Sequence, residues 1–365
     1  MTINLDKHLG DQAMRIRHAA MLVGCLSVCL ASSSALKAED QVTITFTGSG
    51  GVLQEAETKY YFEPFMKLHP NIKIEQDSPI NYAKLQAMVE AGNVTWDLAE
   101  GGPGFGLSPQ HTKLLEKVDC NVVPCAHLQP DKYPTTGYRI AENTSATVLS
   151  YRTDKFPEGK APQSWADFFD VQKFPGGRSI LKIPGNVASV GILEAALLAD
   201  GVEPSKLYPL DLDRALKKME TIRSSIVWAA DNQACAEKVA TGEAAMGICY
   251  NGRMYNFFKS GAPVAVQWNA ALHQGGYLFI PKGTKHLKEA MELAAYLVSD
   301  EHAAAITPEI PYGPANTIAA KKSDPATAAW NPAAHQDQGV AINDLWWAEH
   351  SAEAIRLWTE WQLKG

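Results

Sequence analysis

The stretch GICYNGRMY, residues 247–255, sets Cys249, Tyr250, Gly252 and Arg253 within five positions where an apolar strand runs out into a loop. Three kinds of chemistry use such residues. The planar five-donor fork of an arginine pairs with a carboxylate or phosphonate. A tyrosine ring gives an apolar wall with a polar tip, and a cysteine in an oxidising compartment becomes half of a disulfide. The plain alternative for Arg253 is a surface ion pair, worth only about 0–1 kcal/mol.

Other candidates also stand just after apolar runs. Gly48-Ser49-Gly50-Gly51 follows QVTITFT, and its N–H groups at a helix start could cradle an anion or carboxylate; a tight strand-to-helix turn explains the same glycines. Glu100 follows WDLA and precedes two glycines, so its carboxylate could meet an ammonium or simply be a solvated loop acid. Asp231 follows IVWAA, where its simplest role is a helix N-cap stabilising by about 1 kcal/mol, compatible with a ligand contact. Tyr312 and Asn316 lie in IPYGPAN, either facing a cleft or packing on a proline-fixed turn.

Enzyme signatures are missing: there is no G-x-S-x-G, no H-E-x-x-H and no complete phosphate loop, and GPGFGL lacks the rest of a dinucleotide fingerprint. The ten histidines are scattered, so neither a metal centre nor a cofactor is expected. A net charge of -7 without a long basic run argues against nucleic acid as a partner.

The elements that must position these residues alternate. Strands are expected at 41–48, 72–76, 95–102, 178–183, 226–230, 244–250 and 275–284. Helices are expected from about 52 with a break near Pro64, then at 81–92, 164–170, 187–201, 211–225, 232–242, 286–300 and 344–365. Strand–helix alternation argues for a mainly parallel α/β sheet. A length of 365 residues with 46% hydrophobic and 20% charged suits about two domains. Between the halves there is no low-complexity linker, so the chain should cross by strands.

At the N-terminus, Arg15 and Arg17 precede an apolar run at 19–31 and small residues up to Ala38. That order reads as a secretory signal peptide over 1–38, with Met14 as an alternative start. Leu22-Val23-Gly24-Cys25 allows a lipid-anchor alternative at Cys25. Removing 1–38 leaves 29 basic and 38 acidic residues, a net of -9, and four cysteines. Because a helix start and the end of the next strand should meet, the pairs Cys235–Cys249 and Cys120–Cys125 are expected. The first, closing about 15 residues, would contribute about 3 kcal/mol.

Five segments in order, PFMKLHPNIKI, SWADFF, GEAAMGICYNGR, the run from GYLFIPKGT to PYGPAN, and the closing DLWWAEHSAEAIRLWTEW, resemble the periplasmic solute-binding proteins of ABC importers, specifically the spermidine/putrescine-binding type. The resemblance covers nearly all of the chain after residue 38. It implies a two-lobe periplasmic-binding-protein fold (type II), each lobe a mixed, mostly parallel sheet flanked by helices, with hinge strands between. The lobes expected are 39–146 plus 273–318 and 147–272 plus 319–365, closing on a small-molecule ligand by hinge bending. It also implies a periplasmic monomer that hands its ligand to an ABC permease in the inner membrane, and it puts Tyr250 at an aromatic wall. The same scaffold can serve sensing.

One departure bears on the ligand. The polyamine-binding relatives carry an aromatic and an acid just before the strand that corresponds to YLFIP; this chain has His273-Gln274-Gly275-Gly276 there. Each positive charge of a polyamine needs compensation once desolvated. With Glu100 and Asp231 as acids against Arg253, a zwitterion such as a 4-aminobutyrate-like amino acid or an aminophosphonate fits better than a diamine. The ligand-binding set expected is Ser49, Gly50, Gly51, Glu100, Asp231, Tyr250, Arg253 and Tyr312.

Overall fold

The computed structural model describes residues 41–129, 136–182 and 191–364; the expected signal peptide and the first part of the helix expected at 187–201 lie outside them. β1 (Val42–Thr47) alternates apolar and polar residues and buries Ile44 and Phe46, as a strand with period two must. α1 (Gly51–Glu57) continues through a π-helical turn, Thr58–Phe62, into α2 (Glu63–Leu68). The expected interruption near Pro64 is a π-helical turn inside one continuous helix, and Pro64 follows it as the second residue of α2. β2 (Ile72–Asp77), α3 (Tyr82–Glu90) and β3 (Leu98–Gly101) complete the first run.

β4 (Ile140–Arg152) is a long strand whose length the sequence pattern had not marked. After it come α4 (Trp165–Phe169), β5 (Arg178–Leu181), α5 (Ile192–Ala199), α6 (Leu212–Glu220), β6 (Ile226–Ala229), α7 (Asn232–Thr241) and β7 (Met246–Tyr250). The chain does not leave β7 as a loop: α8 (Asn251–Lys259) starts at once. β8 (Val264–Phe279) begins eleven residues before the expected strand. α9 (Leu287–Leu297), β9 (Gly313–Pro314), β10 (Val340–Ala341) and α10 (Asp344–Leu363) follow.

Side-chain caps fix several of these starts. Asn81, Asp211, Asp231 and Asn343 each accept a backbone N–H three residues on, at 2.8–3.0 Å, each worth about 1 kcal/mol.

One ten-stranded sheet runs in the order β2-β1-β3-β8-β4-β7-β5-β6, with β9 against β4 and β10 against β8. The outer triplets β2-β1-β3 and β7-β5-β6 are parallel within themselves. Antiparallel β8 and β4 join them, paired from Ile140↔Leu278 to Arg152↔Val264. Two apolar cores result. One gathers Phe46, Phe62, Trp96, Leu98, Phe279 and Leu297; the other gathers Trp165, Phe168, Leu193, Ile248, Trp347 and Trp358. β4 and β8 each enter both, so the two lobes are joined by strands.

In α10, Trp347, Ala354, Trp358 and Trp361 are buried and repeat at seven, four and three residues, one stripe of a helix against the second core. Full burial of such a side chain stabilises by about 1.5–3 kcal/mol or more.

Cys120 and Cys125 form a disulfide, S–S 2.11 Å. The expected Cys235–Cys249 bond is not formed. The helix start and strand end do meet, but the two sulfurs stand 3.1 Å apart as buried free thiols, against about 2.05 Å for a bond. The Cys235 thiol instead donates to the Ile248 carbonyl at 3.3 Å. Burial pushes the Cys249 thiol well above its ordinary range.

Candidate functional site

Seven of the eight candidate residues gather where elements of the two cores meet. Glu100 is the last residue but one of β3, and Ser49 and Gly50 lead into α1. The Ser49 N–H and Oγ both donate to Glu100 Oε2, at 3.2 and 3.1 Å. The glycine-rich turn thus cradles a carboxylate, and that carboxylate is the protein's own. Gly50 N–H is also engaged, donating to Gln54 Oε1 at 3.0 Å.

Arg253 sits in the first turn of α8 and is 2% exposed. Its Nη2 donates to the Gly50 carbonyl at 3.1 Å, across from one core's elements to the other's. Nε and Nη1 are buried and have no hydrogen-bond partner among the described residues. Gly51 has φ +60°, and a Cβ there would stand 3.5 Å from Arg253 Nη1 and 3.3 Å from the Gln233 side chain. A glycine is therefore what lets α1, α7 and α8 approach so closely.

Tyr250, the last residue of β7, packs against both cores and makes an edge contact with Tyr312, ring centroids 6.5 Å apart. Tyr312 is buried, and burial pushes its hydroxyl up to about 12, with Arg253 opposing and Glu100 and Glu57 adding to the rise. Its ring lies over Gly252, where an added Cβ would come within 2.6 Å of it and 2.9 Å of Ile310. Gly252→Ala should cost about 1–3 kcal/mol by overpacking, seen as a lower urea midpoint, and should displace Tyr312.

Asp231 stands apart. It is exposed and caps α7 through Ala234 N–H at 2.8 Å; the α7 residue that reaches the cluster is Gln233. Asn316 is occupied structurally, donating to the Val298 carbonyl and Asp300 while accepting from Ile318 and Ala319 N–H.

The sequence reading missed two acids. Glu57 closes α1 where the π turn begins and is 1% exposed; Glu142, 6% exposed, sits at the irregularity of β4 between Ala141 and Asn143. A π turn and a bulge each re-aim a side chain, and both devices are frequent beside functional sites. The carboxyl of Glu57 is held well above its ordinary range by burial, then by Glu100 and Glu142, with Arg253 pulling it down. Glu142 is held well up by burial and Glu100. Glu100 is raised by burial, with Ser49 and Arg253 opposing. Asn251 was also missed: its Oδ1 accepts Ala146 N–H at 3.0 Å, and its Nδ2 donates to the Pro311 and Trp330 carbonyls. It ties α8 to β4 and to the Tyr312 loop.

An arginine with unpartnered donors near the buried carboxyls of Glu57 and Glu100, with Glu142 acting on Glu57 in turn, can hold a molecule carrying both an acidic and a basic end. Residues 60–335 match the family described as bacterial extracellular solute-binding protein. A gamma-aminobutyric acid-binding protein of Pseudomonas aeruginosa is 28% identical, covering 92% of this chain and 95% of that one. A spermidine/putrescine-binding periplasmic protein of Salmonella typhimurium is 22% identical over 78% of this chain and 80% of that one. A solved GABA receptor superposes with a TM-score of 0.79 at 36% identity, covering 88% of this chain and 98% of that one. The chain belongs to the bacterial extracellular solute-binding proteins, the solute-binding subunits of ABC importers.

Proposed function

We propose that this protein captures a small zwitterion, a 4-aminobutyrate-like amino acid in the first instance, between two lobes that close on it. Buried Arg253, with two donor nitrogens unpartnered, carries this reading: it takes the acidic end bidentately, while the buried carboxyls take the ammonium. Gly50 and Gly51 let the lobes close, and Tyr250 and Tyr312 wall the site. The lobes are 39–146 plus 273–318 and 147–272 plus 319–365, a division supported by the two apolar cores. The signal peptide over 1–38 sends the chain to the periplasm, where it works as a monomer with an inner-membrane ABC permease.

A second reading, a diamine such as putrescine, is favoured by the three buried acids. Against it stands Arg253, which would face the second ammonium. A thermal-shift screen separates the two: 4-aminobutyrate at 100 times its Kd should stabilise the protein by about 2.7 kcal/mol. Stabilisation by putrescine alone would reverse the assignment.

A further inference from the structure

The acid cluster carries more than a charge count. Glu57, Glu100 and Glu142 arrive from three different elements, α1, β3 and β4, and each is nine-tenths or more buried. Glu100 is anchored by Ser49 at 3.1–3.2 Å and Glu142 receives Asn143 Nδ2 at 3.3 Å, whereas Glu57 Oε2 is buried with no hydrogen-bond partner among the described residues. Arg253, itself 2% exposed and with Nε and Nη1 unpartnered, acts on Glu57, Glu100 and Tyr312. The other titratable groups on the cluster are tyrosines: Tyr61 from the π turn feels Glu142 and Glu57, and Tyr82 from α3 feels Glu100. One guanidinium cannot balance three carboxylates removed from water, so like charges at close quarters keep protons.

We propose that Glu57, Glu100 and Glu142 form the subsite for the ligand's ammonium end, and that the ammonium enters in exchange for a proton. The ligand arrives as R–NH3+, a carboxyl of the trio gives its proton to solvent, and the resulting carboxylate pairs with the ammonium; the net charge of the ammonium subsite is unchanged, and the released proton offsets the ligand carboxylate that pairs with Arg253. This rests on the zwitterion reading and deepens it by naming the proton exchange through which buried acids take up the basic end. The trio titrates as a unit, so the proton belongs to the cluster rather than to one residue.

The ligand-free protein feels the same cluster with a definite sign. A carboxyl raised by folding binds more protons folded than unfolded. Its contribution to stability is full below the unfolded carboxyl range and is lost as pH rises toward the folded value. Replacing Glu57 by neutral Gln therefore removes a liability of the empty site while removing a ligand contact. Opposite signs on stability and affinity distinguish a binding residue from a structural one.

The test is calorimetric titration of 4-aminobutyrate at neutral pH in phosphate and in Tris, whose ionisation heats differ, with urea unfolding of wild type and Glu57→Gln across acid to neutral pH. The expected result is about one proton released per ligand by the wild type. The variant should bind about tenfold or more weakly, and its urea midpoint at neutral pH should exceed that of the wild type. Equal heats in both buffers, or a Glu57→Gln protein that binds as tightly as wild type, overturn the exchange while leaving the zwitterion reading standing. No heat and no thermal shift with 4-aminobutyrate would instead remove that reading, and the ammonium subsite with it.

Discussion

Arg253→Ala is expected to weaken 4-aminobutyrate binding by about 10- to 150-fold, the equivalent of 1.5–3 kcal/mol for charge-assisted hydrogen bonds. The setting of the side chain sets that size. The guanidinium is buried, so its bonds to a ligand carboxylate are made away from water and are not screened as surface pairs are. Nε and Nη1 have no partner among the described residues, and either can make a two-point fork to a carboxylate together with the second N–H of Nη2, whose other N–H is on the Gly50 carbonyl. Arg253→Lys should recover only part of the affinity, because an ammonium supplies the charge without the fork. The alanine variant also loses the Nη2 bond to the Gly50 carbonyl. Closure should therefore weaken as well as ligand contact, and calorimetry reads both together. An Arg253→Ala protein that binds 4-aminobutyrate as tightly as wild type would exclude the arginine from the site.

The second large effect is on stability and lies at the base of α10. Arg139, the residue just before β4, is fully buried; its Nη2 donates to Asp344 Oδ2 at 2.8 Å, and its guanidinium lies 3.7 Å over the Tyr277 ring. Tyr277 Oη donates to the same Asp344 oxygen at 2.6 Å. Asp344 opens the helix whose tryptophans fill the second core, while Tyr277 belongs to the first. Arg139→Ala strands a largely buried carboxylate and should cost about 3–5 kcal/mol, as breaking a buried pair does. Arg139→Met with Asp344→Asn should recover much of that loss, because desolvating both ions is itself costly. Urea unfolding checks both variants; an Arg139→Ala loss below about 1 kcal/mol would mean that the pair behaves as a surface bridge.

Much of the fold was legible because its elements announce themselves locally. VTITFT alternates, Asp231 caps NQACAEKVAT, and the tryptophans of the last helix repeat at helical spacing. β4 and β8 were read short for a physical reason. They run through both cores and change environment along their length, so neither shows a single alternation; Ala146, Val148, Trp268 and Ala271 even form a small cluster of their own. The end of β7 was read as a loop because NGR looks like a turn. In the folded chain Asn251 opens a helix, its side chain held by three backbone partners.

At the site, Ser49, Glu100, Tyr250, Arg253 and Tyr312 are polar or aromatic residues at or just past the ends of apolar runs, and that position alone marks them in the sequence. Glu57 and Glu142 carry no such mark: one ends a helix and the other lies mid-strand, and only a π turn and a register shift aim them inward. Asp231 also stands just past a strand, yet its carboxylate is spent on its own helix. The cysteine pair shows the limit of proximity arguments, since topology brought Cys235 and Cys249 together without joining them.

Which end of a ligand the arginine and the acids hold decides the account. Calorimetric titration of the purified protein with 4-aminobutyrate, butyrate and putrescine, run side by side, tests it most directly. The account predicts that 4-aminobutyrate binds and that each analogue, lacking one end or carrying the wrong one, binds at least about tenfold more weakly. Putrescine binding as tightly as 4-aminobutyrate, or more tightly, would contradict it.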